Sequence, residues 1–389
     1  MDEAPSVAGE DRLPPPAVPP FRPTPAPRRR RLWQGAGSVL ALIVTAVVVG
    51  GLLIKVPYVA LSPGSARDTE DLVRVEGVAA YPSEGALLLT TVRVQTRPNL
   101  WEYLWLDTVA DDVEIVPEEM ILQDRSPDEN RRANLEQMTS SKSTAVAVAL
   151  EQLGYDAITP GGVRAVEVVE GSAAAAVMAR NDTVVAADGQ PVLTREDLFE
   201  VLDGKAPGDE LRLRIEPAAG GPAKDVTVTL GDSPDQPGRA FLGIGPADKA
   251  DLHDDEFGFV VDIDSGSVGG PSAGLAFTLA VLDKLTEGEL TGGAKVAVTG
   301  TIDSSGHVGA VGGVPQKAVA VREAGASAFL VPTSLGEAEI AEVRRKVGDE
   351  VQVIPVDNIE QALNALATLG GQVDAVHEFA AGNASGGTS

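Results

Sequence analysis

The run Gly258–Leu285, GFVVDIDSGSVGGPSAGLAFTLAVLDKL, passes from a short apolar strand pattern through a glycine-rich turn into an apolar helix pattern. A strand at Phe259–Ile263 followed by a helix at Ala273–Leu285 opens a mixed architecture of strands and helices. The alternation continues to Leu369. Strands at Lys295–Thr299, Ala328–Val331 and Val351–Pro355 are interleaved with helices at Gln316–Ala324, Leu335–Lys346 and Asn358–Leu369. Residues 236–372 are therefore expected to form an α+β domain with its own apolar core.

Upstream, between about Gly161 and Leu230, the pattern changes to short strands around one helix. The strand Val163–Val169 is followed by Glu170-Gly171-Ser172-Ala173-Ala174, a strand Asp182–Asp188 with an Asp188-Gly189 turn, and a helix Arg195–Leu202. Pro207-Gly208-Asp209 and a closing strand pair complete a series that resembles a bacterial PDZ domain, a β-rich module assigned to residues 155–235. Asn181-Asp182 stands where many relatives have Gly-Asp. Phe241-Leu242-Gly243-Ile244 is similar to a carboxylate-binding loop, but it follows the module and is read as an ordinary strand.

Further upstream, residues 1–32 are proline-rich and expected to be a flexible tail, ending in Arg28-Arg29-Arg30-Arg31. Gly35 to Ile54 then runs without a charge, long enough at about 1.5 Å per helical residue to span a hydrocarbon core of roughly 30 Å. A cleaved signal peptide would have a shorter apolar region and an A-x-A-like site just after it. Residues 33–55 are thus expected to be a single transmembrane helix. The arginines on its N-terminal side place the tail in the cytoplasm and everything after Lys55 outside it. In the segment 56–154, YVALSPG reads as a connector, and strand-like runs at Asp71–Val78 and Gly85–Val94 follow. Trp101, Tyr103 and Trp105 form an aromatic stripe suited to core packing or a surface near the bilayer. Asp124–Asn134 reads as an exposed loop, and Ser143–Leu153 as a helix ended by Gly154. The chain end, 373–389, is expected to be a flexible tail.

Composition narrows the chemistry. Six Arg against four acidic residues leave 1–32 slightly basic, so the net charge of −26 belongs to the rest of the chain. Such a surface repels phosphate backbones and argues against nucleic-acid binding. Cysteine is absent, which removes disulfides, thiol nucleophiles and thiolate metal sites together. Only His253, His307 and His377 are available, and neither an HExxH motif nor a GxxxxGK[ST] phosphate loop occurs. No cofactor or metal is called for.

Two segments carry reactive potential. Val268-Gly269-Gly270-Pro271-Ser272-Ala273-Gly274 puts a serine at the head of a helix, where unpaired N–H groups and the helix dipole favour developing negative charge. Such donors are worth roughly 3–4 kcal/mol each to a tetrahedral oxyanion. Ser272 could equally serve as a simple N-cap. Gly312-Gly313-Val314-Pro315-Gln316-Lys317 starts another helix, with Lys317 at its apolar head. Burial there would lower the ammonium pKa and yield a general base, whereas a snorkelling surface lysine is the plain alternative. Between them lie the strand Val296–Thr299, Gly300, and a hairpin through Gly306-His307-Val308, with Thr299 available to hydrogen-bond lysine or serine.

Together these segments resemble the proteolytic domain of Lon proteases: a GPSAG box with Ser272, a Thr299-Gly300 box and a GG-three-residues-Lys box with Lys317, in the same order and spacing over about a hundred residues. The resemblance implies a Ser272–Lys317 catalytic dyad supported by Thr299 and by backbone N–H groups near Gly270. Lon proteases with an ATPase carry an acidic residue three positions before the nucleophile, where this chain has Gly269. Gly85–Thr91 and Met138-Thr139-Ser140-Ser141 look like the first half of the same domain, which would make the PDZ-like module an insertion. The whole layout is similar to membrane-anchored, PDZ-containing Lon-like bacterial proteins. That likeness implies an ATP-independent serine endopeptidase of the cell membrane, acting outside the cytoplasm on unfolded or exposed protein segments, and, as in Lon rings, a homo-oligomer.

Three other readings stand beside it. A triad could draw on Ser272, His307 or His253, and Asp262, Asp264 or Asp303. A small-molecule kinase could use the glycine-rich turn as a phosphate cradle, and ATP binding would reveal it. A catalytically silent scaffold would bind peptides through the PDZ-like module alone.

Overall fold

The computed structural model describes residues 28–110, 112–122, 126–234, 236–252 and 257–386; the tail 1–27 and His253 fall outside them. Two compact units are distinguished: residues up to Lys55 with Asn99–Trp101, and Val56–Pro98 with Glu102–Ser389.

The first unit is a helix, α1 (Arg28–Leu53), with Leu42, Ile43 and Leu53 exposed. Trp101 Nε1 donates to the Val48 carbonyl at 2.9 Å within this unit. Among the described residues, no helix is long and apolar enough to cross a membrane. Part of the expected span 33–55 lies among residues whose side chains are not described.

The second unit begins with β1 (Tyr58–Asp68), β2 (Val73–Glu76) and β3 (Ala86–Thr96), then, from Glu102 on, α2 (Leu100–Thr108), β4 (Glu114–Pro117), α3 (Glu118–Leu122) and α4 (Pro127–Gln152). A β-rich stretch follows: β5 (Ile158–Val168), β6 (Thr183–Ala187), β7 (Gln190–Pro191), α5 (Arg195–Asp203), β8 (Glu210–Glu216), β9 (Lys224–Thr229), β10 (Gly231–Asp232), β11 (Ala240–Phe241) and β12 (Ile244–Leu252). The chain continues through β13 (Val260–Ile263), α6 (Gly274–Leu285), β14 (Lys295–Val298), β15 (Thr301–Ile302), β16 (Val308–Gly309) and α7 (Val314–Glu323). It closes with β17 (Ala328–Pro332), α8 (Glu337–Val347), β18 (Gln352–Val356), α9 (Ile359–Thr368) and α10 (Asp374–Gly386).

One sheet, in the order β18-β17-β14-β3-β1-β4, organises the site. Strand β14 is parallel to β3 and β17, β17 is parallel to β18, and β1 is antiparallel to β3 and β4. Helices cover both faces, so the run Ala86–Leu89 is buried residue by residue. Leu87 and Leu89 join the core with α4, α6 and α9, while Ala86 and Leu88 join the core under α7 and α8. Each fully buried leucine contributes about 1.5–3 kcal/mol relative to exposure. Helix α6 is buried nearly all round, as its apolar sequence dictates.

Three upstream and terminal expectations change. YVALSPG is not a connector. It opens β1, whose register shift between Pro63 and Ala66 absorbs the residues that cannot join a regular ladder. Asp124–Asn134 is not wholly a loop, because Ser126 caps α4 with a reciprocal Glu129 box and Pro127 occupies its first turn. The C-terminal run is helical in α10, with Val376 fully buried and Phe379 packed on the core.

The β-rich stretch has a core of its own around Val163, Leu198, Leu211, Leu213 and Ile215. Its sheet runs β12-β5-β6-β8-β9. Strand β12, expected after the module, is the edge strand of that sheet, and pairs β5 from Ile244↔Val168 to Leu252↔Ile158.

Candidate active site

Ser272 sits in a tight 3-10 turn, Pro271–Ala273, that leads directly into α6. Gly270 before it has φ 87°, a conformation that favours glycine. The N-cap of α6 is Ala273, and no side chain caps it. The simple capping role for Ser272 is thus not realised. Helix α4 grips the turn from one side: the Gly270 N–H donates to the Asn134 carbonyl at 2.8 Å, and Ser141 Oγ donates to the Pro271 carbonyl at 3.2 Å. With its N–H engaged, Gly270 is not free to donate to an oxyanion or a phosphate in this arrangement. A side chain at position 269 would approach Asn134 Cβ to 3.2 Å, so an acidic residue there would crowd α4.

The other side of the turn is held by the segment after β14. The Ser272 carbonyl accepts from the Gly300 N–H at 3.0 Å and from Thr299 Oγ1 at 3.4 Å. The Thr299 hydroxyl in turn accepts from Lys317 Nζ at 2.9 Å. Thr299 is fully buried at the end of β14, and Lys317 is only 2% exposed in the first turn of α7. The plain reading of Lys317 as a surface lysine therefore does not hold. Burial alone lowers its ammonium pKa from the ordinary value to about 8, since desolvation disfavours the charged form. Among the described residues no carboxylate is paired with it. Lys317, Thr299 and the Ser272 turn thus form one connected chain of hydrogen bonds, drawn from α7, β14 and the head of α6.

Three of the alternative triad groups are engaged elsewhere. His307 Nδ1 lies 3.8 Å from Asp357, Asp264 pairs Arg74 at 3.7 Å, and Asp303 pairs Arg195 at 2.8 Å. None of these pairs includes Ser272.

These geometries explain why so few motifs matter. Residues 249–368 match the Lon protease (S16) C-terminal proteolytic domain. The Lon protease of Clostridioides difficile is 36% identical over 94 residues, which is 24% of this chain and 12% of that protein. The Lon protease of Halothermothrix orenii is 28% identical over 174 residues, covering 43% of this chain and 22% of the relative. That of Vibrio parahaemolyticus is 30% identical over 163 residues, 40% and 20% respectively. The chain thus spans between about a tenth and a quarter of these relatives' length. Among solved structures, the PDZ domain of an SdrC-like protein from Listeria monocytogenes aligns with TM-score 0.20 and 19% identity, over 22% of this chain and 86% of that one.

Sequence reasoning missed two features. Asn134 and Ser141 hold the serine turn from α4, and only the Ser126-to-Glu129 capping signal announced that this helix begins early enough to do so. Arg195, at the head of α5, donates to Asp248 on β12 and to Asp303 beside the β15–β16 hairpin, tying the two sheets together. No local motif marks that bond.

Proposed function

We propose that this chain is an ATP-independent, membrane-anchored serine endopeptidase that cleaves unfolded or exposed protein segments outside the cytoplasm. The observation that carries it is the buried Lys317 amine on the Thr299 hydroxyl, which is itself bonded to the backbone of Ser272. A buried amine with a pKa near 8 is substantially neutral under mildly alkaline conditions and accepts a proton from an attacking hydroxyl. Ser272 Oγ adds to the peptide carbonyl and its proton passes to Lys317. The amine leaves with that proton, forming an acyl-enzyme; Lys317 then takes a proton from the water that attacks the ester and returns it to Ser272 Oγ as the acid departs. Thr299 fixes the amine's direction. The Ser272 N–H is the natural oxyanion donor while Gly270 remains held by α4. Anchoring rests on the apolar run Gly35–Ile54 with its preceding arginines. ATP independence rests on the lack of a phosphate-loop motif in the 389 residues.

The edge of β12 beside α5 supports substrate selection by strand addition, with Phe241-Leu242-Gly243-Ile244 leading into that edge. If it selects without cleavage, the protein is a peptide-binding scaffold. The deciding experiment measures hydrolysis of an unfolded protein without ATP by the full chain in detergent, with Ser272→Ala and Lys317→Ala beside it. Cleavage by the wild type alone supports the dyad. Equal cleavage by all three rejects it, and cleavage by none favours the scaffold.

A further inference from the structure

A cleft of about 1430 Å³ lies between α4 and the outer face of the PDZ-like sheet. That volume exceeds the roughly 300–1,000 Å³ usual for small-molecule sites and suits a length of polypeptide. On one side, residues from Glu129 through Ala133, Gln137 and Ser141 to Thr144 recur at the three-and-four spacing of a single face of α4. Opposite them stand Arg164 on β5, Thr183 on β6 and the loop after β8. Its end is formed by Pro271, Thr301 and Ile302, the neighbours of Ser272 along the chain and across the hairpin.

Charge supports the same assignment. The cleft lining carries five basic and five acidic side chains, whereas the chain as a whole carries −26. An acidic segment that the remaining surface repels meets balanced charge here, and a basic one is not trapped. Arg164 is left without an ion pair among the described residues, and its buried Nε has no acceptor. A buried donor of this kind is costly to leave unsatisfied, and a ligand carbonyl in the cleft would satisfy it. The Arg195 bridge to Asp248 and Asp303 holds the PDZ-like sheet against the Ser272 end, so the cleft is a built passage between two braced walls.

We propose that the polypeptide substrate reaches Ser272 along this cleft, lying between α4 and the PDZ-like sheet with Arg164 among its contacts. The proposal rests on the protease reading above and adds the route. Because the chain has no cysteine, one introduced thiol is uniquely addressable. In the full chain, Gln137→Cys on the cleft face of α4 and Thr227→Cys on β9, away from the cleft, are each coupled to a bulky polyethylene glycol maleimide. The label at position 137 is expected to cut hydrolysis of a reduced, alkylated unfolded protein at least tenfold. It should leave hydrolysis of a short activated ester within twofold, and the label at 227 should change neither. Unchanged protein hydrolysis with the label at 137 overturns the route. If the wild type hydrolyses neither substrate, the dyad reading fails, and the route is judged by binding instead. A benzophenone maleimide at 137 in a Ser272→Ala background should cross-link the unfolded protein far more than one at 227, and equal or absent cross-linking rejects the cleft.

Discussion

Lys317 titrates in an accessible window. Its ammonium has a pKa near 8 because of burial, against an ordinary value of 10.5. Under the proposed mechanism the acting base is the neutral amine, so kcat/KM is expected to rise with pH through about 8 and then level off. A flat profile from pH 6 to 9 would reject the assignment. Stability carries the same signature. The folded state holds fewer protons than the unfolded chain between about 8 and 10.5, so this group's penalty is full below 8 and is relieved as pH rises through that window. Urea midpoints of the wild type and Lys317→Met should therefore converge towards alkaline pH. Thr299→Val keeps the shape of the side chain but leaves the Lys317 amine without its acceptor. Loss of a hydrogen bond to a charged group, about 1.5–3 kcal/mol, corresponds to roughly a 10–160-fold fall in kcat, with KM for a short ester nearly unchanged. The serine and lysine were legible because each sits in a short box whose neighbours, Pro271 and Pro315, already mark a helix start. The free or engaged state of the Gly270 N–H was not, since its partner Asn134 lies far away in sequence.

At the scale of elements, the head of α6 is wedged between α4 and the β15–β16 hairpin. A Cβ added at Gly274 would stand 2.9 Å from both the Ile302 nitrogen and Ser141 Oγ. Gly274→Ala is expected to cost about 1–3 kcal/mol by overpacking and to lower activity with it, because the same contact seats the serine turn. A wild-type urea midpoint in that variant would show that the hairpin yields freely. The alternating elements from β13 to α9 could be read from periodicity, since each strand or helix is long and uniformly patterned. By contrast β1 was hidden by Pro63-Gly64, residues that break a strand's local signal but are tolerated at an irregular register. Helix α10 was hidden too. Val376 and Phe379 are its packed apolar residues and Asn383 donates to the Leu153 carbonyl, while the remainder is alanine, glycine and polar residues.

At the scale of the whole chain, Arg195 joins the PDZ-like sheet to the hairpin beside the serine turn. Arg195→Ala leaves the mostly buried Asp248 carboxylate unpaired, a change that can cost up to about 3–5 kcal/mol. Amide exchange in residues 301–307 and along β12 is expected to quicken at least tenfold, with β17 unchanged. Equal quickening in β17 would make the bridge a general stabiliser and nothing more specific. That long-range tie could not be read from the sequence, because Arg195, Asp248 and Asp303 belong to three unremarkable segments. The edge strand β12 escaped for a similar reason, as its partner β5 is separated from it by the rest of the module.

The pairing of Ile158 with Leu252 brings the entry and exit of the PDZ-like module side by side, at the roughly 5 Å spacing of neighbouring strands. Geometrically the module is a cartridge on a two-stranded stem. A short turn joining the two strands would close the gap it leaves, so lineages could trade this module for another, or discard it, while the six-stranded sheet that holds Thr299 keeps its connections.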